Sequence, residues 1–190
     1  MTGIDKAIQD ALNQVRTYLS TFTTSFPYSN SEHGFYAQSE NVEWTTGFWT
    51  GELWLSYELT GEEAFRKAAD IQVDSFLERI EKHIDTNHHD MGFLYSPSCV
   101  AAWKLTKNRN GRKAALLAAD NLISRYQEKG RFIQAWGNLG DEDNYRLIID
   151  CLLNLPLLFW ASDETGDERY KRIALAHIDT AMKVIIRPDD

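Results

Sequence analysis

Apolar residues along this chain recur mostly at intervals of three and four. Ile4, Ile8, Leu12, Val15 and Leu19 keep a 3.6-residue period and predict an amphipathic first helix. Sustained alternation is scarce, and no Asn-Gly or Asp-Gly turn joins two apolar runs, so strands are not expected. The predicted class is all-α.

The helical pattern repeats. AFRKAADIQVDSF, GRKAALLAADNL and RYKRIALAHIDTA align on Ala69, Ala115 and Ala174, at offsets of 46 and 59 residues, and each places an aspartate five residues on: Asp74, Asp120 and Asp179. Upstream, ELWLSYELTGEEAF and LLFWASDETGDERY share an apolar helix end, Thr-Gly, an acidic pair, and Phe65 or Tyr170; AAWKLTKNRNGRKAA is the middle version. Gly61 and Gly166 suit the left-handed residue after a helix, and the acidic pair suits the positive start of the next. Each unit is a helical hairpin whose apolar face needs a neighbour. An α/α toroid, apolar helices inside and amphipathic helices outside, answers that need. We count a first helix plus three to three and a half hairpins over residues 1–190. They form one partial domain that ends in RPDD without a cap.

Composition narrows the partners. The 190 residues are 43% hydrophobic and 12% aromatic, enough for a sizeable core. A formal charge of -8 argues against nucleic acid. Cys99 and Cys151 sit among apolar neighbours and read as reduced core thiols. LLNLPLLFWA is too short to span a bilayer. The first residues show no basic stretch followed by an apolar one, so a cytoplasmic location is expected.

Three segments could carry chemistry. In NVEWTTGFWTGELW, Trp44 and Phe48 stand beside Gly and Thr at a helix mouth. They fit a sugar-stacking platform as well as they fit the core, whereas Trp54 reads as core. In DTNHHDMGFLYSPS, adjacent His88 and His89 lack the spacing that puts two imidazoles on one helical face, so no metal site is expected. Asp85 or Asp90 could cap a helix, but Pro97 points to a helix starting at Ser98, leaving His89 and Asp90 in a loop. RLIIDCLLNLPLLFWA reads as an inner helix bent at Pro156, with Arg146, Asp150 and Asn154 as one polar stripe. Asp150 is then either paired with Arg146 or a desolvated proton donor. In QAWGNLGDEDN, Trp136 is a loop aromatic available to a ligand; Asp141, Glu142 and Asp143 read as a helix-starting cluster.

WTTGFWTGE (44–52), HHDMGFLYSPS (88–98), AWG (135–137) and YRLIIDCLLNLPLLFWA (145–161) together resemble the unsaturated glucuronyl hydrolases, glycoside hydrolase family 88. The resemblance implies a six-hairpin (α/α)6 barrel of which this chain is the N-terminal half. It implies removal of the 4,5-unsaturated uronic acid from lyase-generated oligosaccharides, without a cofactor. Asp150 would be the general acid/base, Asp90 the second active-site aspartate, and His89, Trp44, Phe48 and Trp136 substrate contacts. The missing half, or a second chain, would complete the barrel. The alternatives are the related unsaturated rhamnogalacturonyl hydrolases, a non-catalytic carbohydrate-binding half-toroid, and a helical interaction scaffold.

Overall fold

The computed structural model describes residues 2–187 and 189; the expected cap-less RPDD terminus therefore lies partly outside the described residues. Helix α1 (Gly3–Leu19) starts in a capping box: the Thr2 hydroxyl accepts from the Asp5 N–H, and the Asp5 carboxylate accepts from the Thr2 N–H. Three helical hairpins follow. The first pairs α2 (Thr46–Thr60) with α3 (Glu63–Glu81). The second pairs a broken inner rod, α4 (Met91–Tyr95) and α5 (Ala101–Thr106), with α6 (Arg109–Ser124). The third pairs α7 (Pro156–Thr165) with α8 (Glu168–Ile185).

The inner and outer rows follow from the burial pattern. Helix α2 is buried through Trp49, Thr50, Leu53, Trp54 and Ser56, positions spread around its circumference. The outer helices α3, α6 and α8 bury one stripe each. Ala69, Ala115 and Ala174, the repeat's anchor, are all fully buried, as is Phe65, and Tyr170 is buried but for its edge. Small residues there let successive outer helices pack, α3 on α6 and α6 on α8. Gly61 and Gly166 adopt the left-handed conformation (φ 71° and 74°), and Lys107 takes it in the middle copy (φ 58°). Of the repeat aspartates, Asp74 accepts from Asn110 and Asp120 from the Tyr170 hydroxyl, both across a hairpin boundary. The arrangement is the α/α toroid geometry that the repeat predicts, with three hairpins and a first helix. Both cysteines are buried and unpaired, and no helix among the described residues is long and apolar enough to cross a membrane.

Three local expectations fail. Two antiparallel hairpins exist, β1 (Phe26–Glu32) with β2 (Phe35–Ser39) and β3 (Tyr126–Gln127) with β4 (Phe132–Ile133). The first turns on His33-Gly34, both at positive φ, a conformation usually signalled by Asn-Gly. The helix expected from Ser98 begins at Met91; Pro97 is absorbed in a wide π turn, Ser96–Val100. The helix expected over 146–161 is not continuous: a 3₁₀ turn spans Cys151–Asn154, and α7 starts at Pro156. Proline has no N–H to donate and its ring blocks the carbonyl four residues back, so it begins this helix rather than bending it. Arg146, Asp150 and Asn154 therefore form no helical stripe.

Candidate active site

Two buried arginines at the ends of outer helices hold the site loops. Arg79, 1% exposed near the end of α3, donates to the carbonyls of Glu43 (3.0 Å), Val42 (3.3 Å), Ile84 (3.2 Å) and Asp85 (3.0 Å). Arg125, just after α6, donates to the carbonyls of Gln134 (2.9 Å) and Gly137 (2.9 Å) and to the Asn87 side chain (2.5 Å). A rigid planar donor fork suits several fixed carbonyls at once. One arginine ties the Trp44 loop to the Asp85 loop; the other ties the Asp85 loop to the Trp136 loop. The two are separated by the repeat's own offset of 46 residues, a signal the sequence carried unread.

Backbone pairing finishes the assembly. The His89 N–H donates to the Ala135 carbonyl (2.7 Å), and the Ala135 N–H donates to the Arg146 carbonyl (3.0 Å). Three distant segments thereby lie side by side, with His88 bridged to Trp136. Trp136 stays 40% exposed, and the Arg146 guanidinium lies over its ring at 5.4 Å. Arg146 makes no ion pair with Asp150, so that reading of the polar residues is overturned by this stacking.

His89, Asp90 and Asp150 converge: each offers an oxygen or nitrogen atom, all within 4.8 Å of one another. Buried His89 places Nε2 3.2 Å from Asp90 Oδ1 and 3.8 Å from Asp150 Oδ1. Both neighbours are carboxyl groups, so a proton on this nitrogen is shared first with Asp90, the nearer of the two. His88 approaches the other Asp90 oxygen through Nδ1 at 3.1 Å. Its Nε2 lies 2.9 Å from the Asp85 carbonyl, while Nδ1 also accepts the Asp90 N–H. The His88–Asp90 side-chain contact is thus a full hydrogen bond only when the ring carries a second proton. Burial alone would raise the Asp90 pKa, but His88 and His89 outweigh it and hold the carboxyl well below the usual range. Asp90 is an anion. Asp150, from the turn before the 3₁₀ segment, keeps a 29% exposed side chain, and its buried Oδ1 has no hydrogen-bond partner. The surroundings are those of an open turn instead of the apolar helix expected from sequence. These three side chains are also the donors a metal ion would find, assembled from separate segments that His spacing alone could not reveal.

An aromatic platform completes the site. Trp44 and Phe48, 46% and 41% exposed, meet Phe93 edge-on, with centroids 5.8 and 5.7 Å from it. Phe93, three residues after Asp90 in α4, is a residue the sequence reading missed, because the helix that aims it was expected to begin only at Ser98. Trp54 is buried core, as expected, and Asp141 caps the short turn Glu142–Asn144. The result is two carboxyl groups in different environments with an imidazole between them, and exposed rings on the loops and helices next to them in the chain or paired with them. That set suits acid–base chemistry on a ring with C–H faces.

A family model for Glycosyl Hydrolase Family 88 matches residues 18–189. The "Unsaturated chondroitin disaccharide hydrolase" of Streptococcus pyogenes serotype M1 is 51% identical over 186 residues, covering 98% of this chain and 47% of that protein. The crystal structure of unsaturated glucuronyl hydrolase from Streptococcus agalactiae superposes with a TM-score of 0.96 at 44% identity, covering 100% of this chain and 48% of that one. A mutant of the same streptococcal enzyme, complexed with dGlcA-GalNAc6S, matches with a TM-score of 0.84 at 36% identity, covering 97% of this chain and 44% of the other. The chain spans about half the length of the relatives it matches.

Proposed function

The chain belongs to Glycosyl Hydrolase Family 88, and we propose that its Asp90–His89–Asp150 cluster removes a 4,5-unsaturated uronic acid from the non-reducing end of oligosaccharides left by polysaccharide lyases. The observation that carries the reading is the meeting of two carboxyl groups, 60 positions apart in sequence, in unlike environments around one imidazole. The substrate is an enol ether. Protonation at C4 by the Asp150 carboxyl leaves oxocarbenium-like charge at C5. Water then adds at C5 and returns its proton to the Asp150 carboxylate. The hemiketal opens, and the C1–O bond to the leaving sugar breaks. Asp90 stays ionised, bonded to His89, and holds sugar hydroxyls while Trp44, Phe48 and Trp136 take the ring faces. The relatives' names favour a glycosaminoglycan disaccharide as substrate over a rhamnogalacturonan product.

In this proposal further helical hairpins, from a continuation of the chain or from a second chain, cover the open side of the cluster. A cytoplasmic site of action belongs to the same reading, in keeping with the unpaired cysteines; cell fractionation tests it. The activity test follows the ultraviolet absorbance of the conjugated uronate in an unsaturated chondroitin disaccharide. Asp150→Asn should abolish its loss, and Asp90→Asn should slow it by about 100-fold or more. Full turnover by Asp150→Asn would sink the assignment. Disaccharide binding with unchanged absorbance would favour a carbohydrate-binding half-toroid.

A further inference from the structure

The first turn of α4 leaves backbone N–H groups without intrahelical partners. Asp90 occupies the N-cap position, where an aspartate ordinarily accepts from those groups, yet its side chain makes no capping bond. The donors are taken by a residue 62 positions away. Asn154, 1% exposed at the end of the 3₁₀ turn, accepts from the Gly92 N–H at 2.8 Å and the Phe93 N–H at 3.2 Å through Oδ1. Two donors fix the amide orientation, since its NH₂ end could not accept them. The backbones also touch: a Cβ on Gly92 would lie 2.2 Å from Asn154 Cα and 2.6 Å from its carbonyl oxygen.

We infer that Asn154 is a positioning residue, which caps α4 in place of Asp90, frees the Asp90 carboxylate for the pocket and fixes its distance from Asp150. The inference rests on the family reading for its catalytic consequence only. Asp150 stands at the entry to the turn that Asn154 ends, and Asp90 at the entry to the helix that Asn154 caps. The amide thus joins the two carriers directly. Without it, Asp90 can turn back to cap its own helix, withdrawing from His89.

The test compares Asn154→Ala with Asn154→Asp, which keeps the acceptors, in the full chain. In the native protein the Gly92 and Phe93 amides should be protected from hydrogen exchange despite standing in a first helical turn. Asn154→Ala should speed their exchange by about 100-fold, and Asn154→Asp should restore protection. Crystal structures should show the Asp90–Asp150 separation change by about 1 Å in Asn154→Ala. With unsaturated chondroitin disaccharide, kcat should fall about 100-fold while KM moves less than about threefold, with Asn154→Asp within about tenfold of native. Fast exchange of both amides in the native chain, or native exchange in Asn154→Ala, overturns the clamp. Unprotected amides with unchanged kcat and carboxyl separation overturn the positioning role. If the chain turns over nothing even when supplied with the hairpins that cover the cluster, the enzymatic reading fails, and exchange and separation still decide the clamp.

Discussion

Inside α8, His177 accepts the Ile133 N–H through Nδ1 at 2.8 Å, so Nε2 carries the proton. That second nitrogen is buried without a partner. Burial first, and the nearby charge of His89 second, push its pKa down to about 4 from 6.5. Between those values the unfolded chain binds a proton that the fold refuses, so stability falls as pH drops through the window. The full effect is at most about 3 kcal/mol. Urea midpoints should therefore decline from pH 7.5 to pH 5 in the native chain and decline less in His177→Gln; equal declines would absolve His177. Asp90 acts in a lower window with the same sign: its depressed pKa adds stability above the ordinary carboxylate range, lost as pH falls below it. Asp90, His89, Trp44, Phe48 and Trp136 stood out in the sequence because polar or aromatic residues interrupted helical patterns there. His177, Arg79 and Arg125 did not, since a buried polar residue is defined by partners that lie far away along the chain. The two arginines were nonetheless within reach of the 46-residue offset.

At the scale of elements, close backbone approach decides where α2 meets α4. A Cβ on Gly47 would lie 2.3 Å from the Phe93 carbonyl oxygen and 2.6 Å from that of Leu94. Backbone cannot swing aside as a side chain can. Alanine ordinarily favours a helix by about 1 kcal/mol over glycine, but overpacking here should cost about 1–3 kcal/mol or more. Gly47→Ala should thus lower the thermal midpoint by several degrees and shift Trp44 and Phe48 against Phe93; an unchanged or raised midpoint would refute the close contact. The hairpin register was legible because Thr-Gly and buried alanine recur at fixed offsets. The segment over 146–161 was misread because apolar composition alone does not separate helix from a turn followed by helix. Pro156 held the answer, and its place at the first helical position is the commoner one.

At the scale of the molecule, the row of hairpins leaves apolar residues uncovered at both ends. On α1 and α2, Ile4, Ile8, Leu55 and Leu59 are exposed; on and just after α8, so are Leu175, Met182, Val184 and Ile186. In a stacked helical array each unit covers its neighbour, and an uncovered end is a sticky one. Fully covering a leucine is worth about 1.5–3 kcal/mol, so Leu55 and Leu59 together supply a strong drive toward any apolar partner. The relatives carry about as much chain again as they share with this one, which accords with such faces being covered there. The chain on its own should self-associate with rising concentration in sedimentation velocity and bind a hydrophobic dye. Leu55→Gln with Leu59→Gln should weaken both, while the far-ultraviolet helical signal stays unchanged because neither side chain belongs to the core. A monomer at all concentrations with no dye binding would mean that the exposed rows are covered by rearrangement within the chain itself.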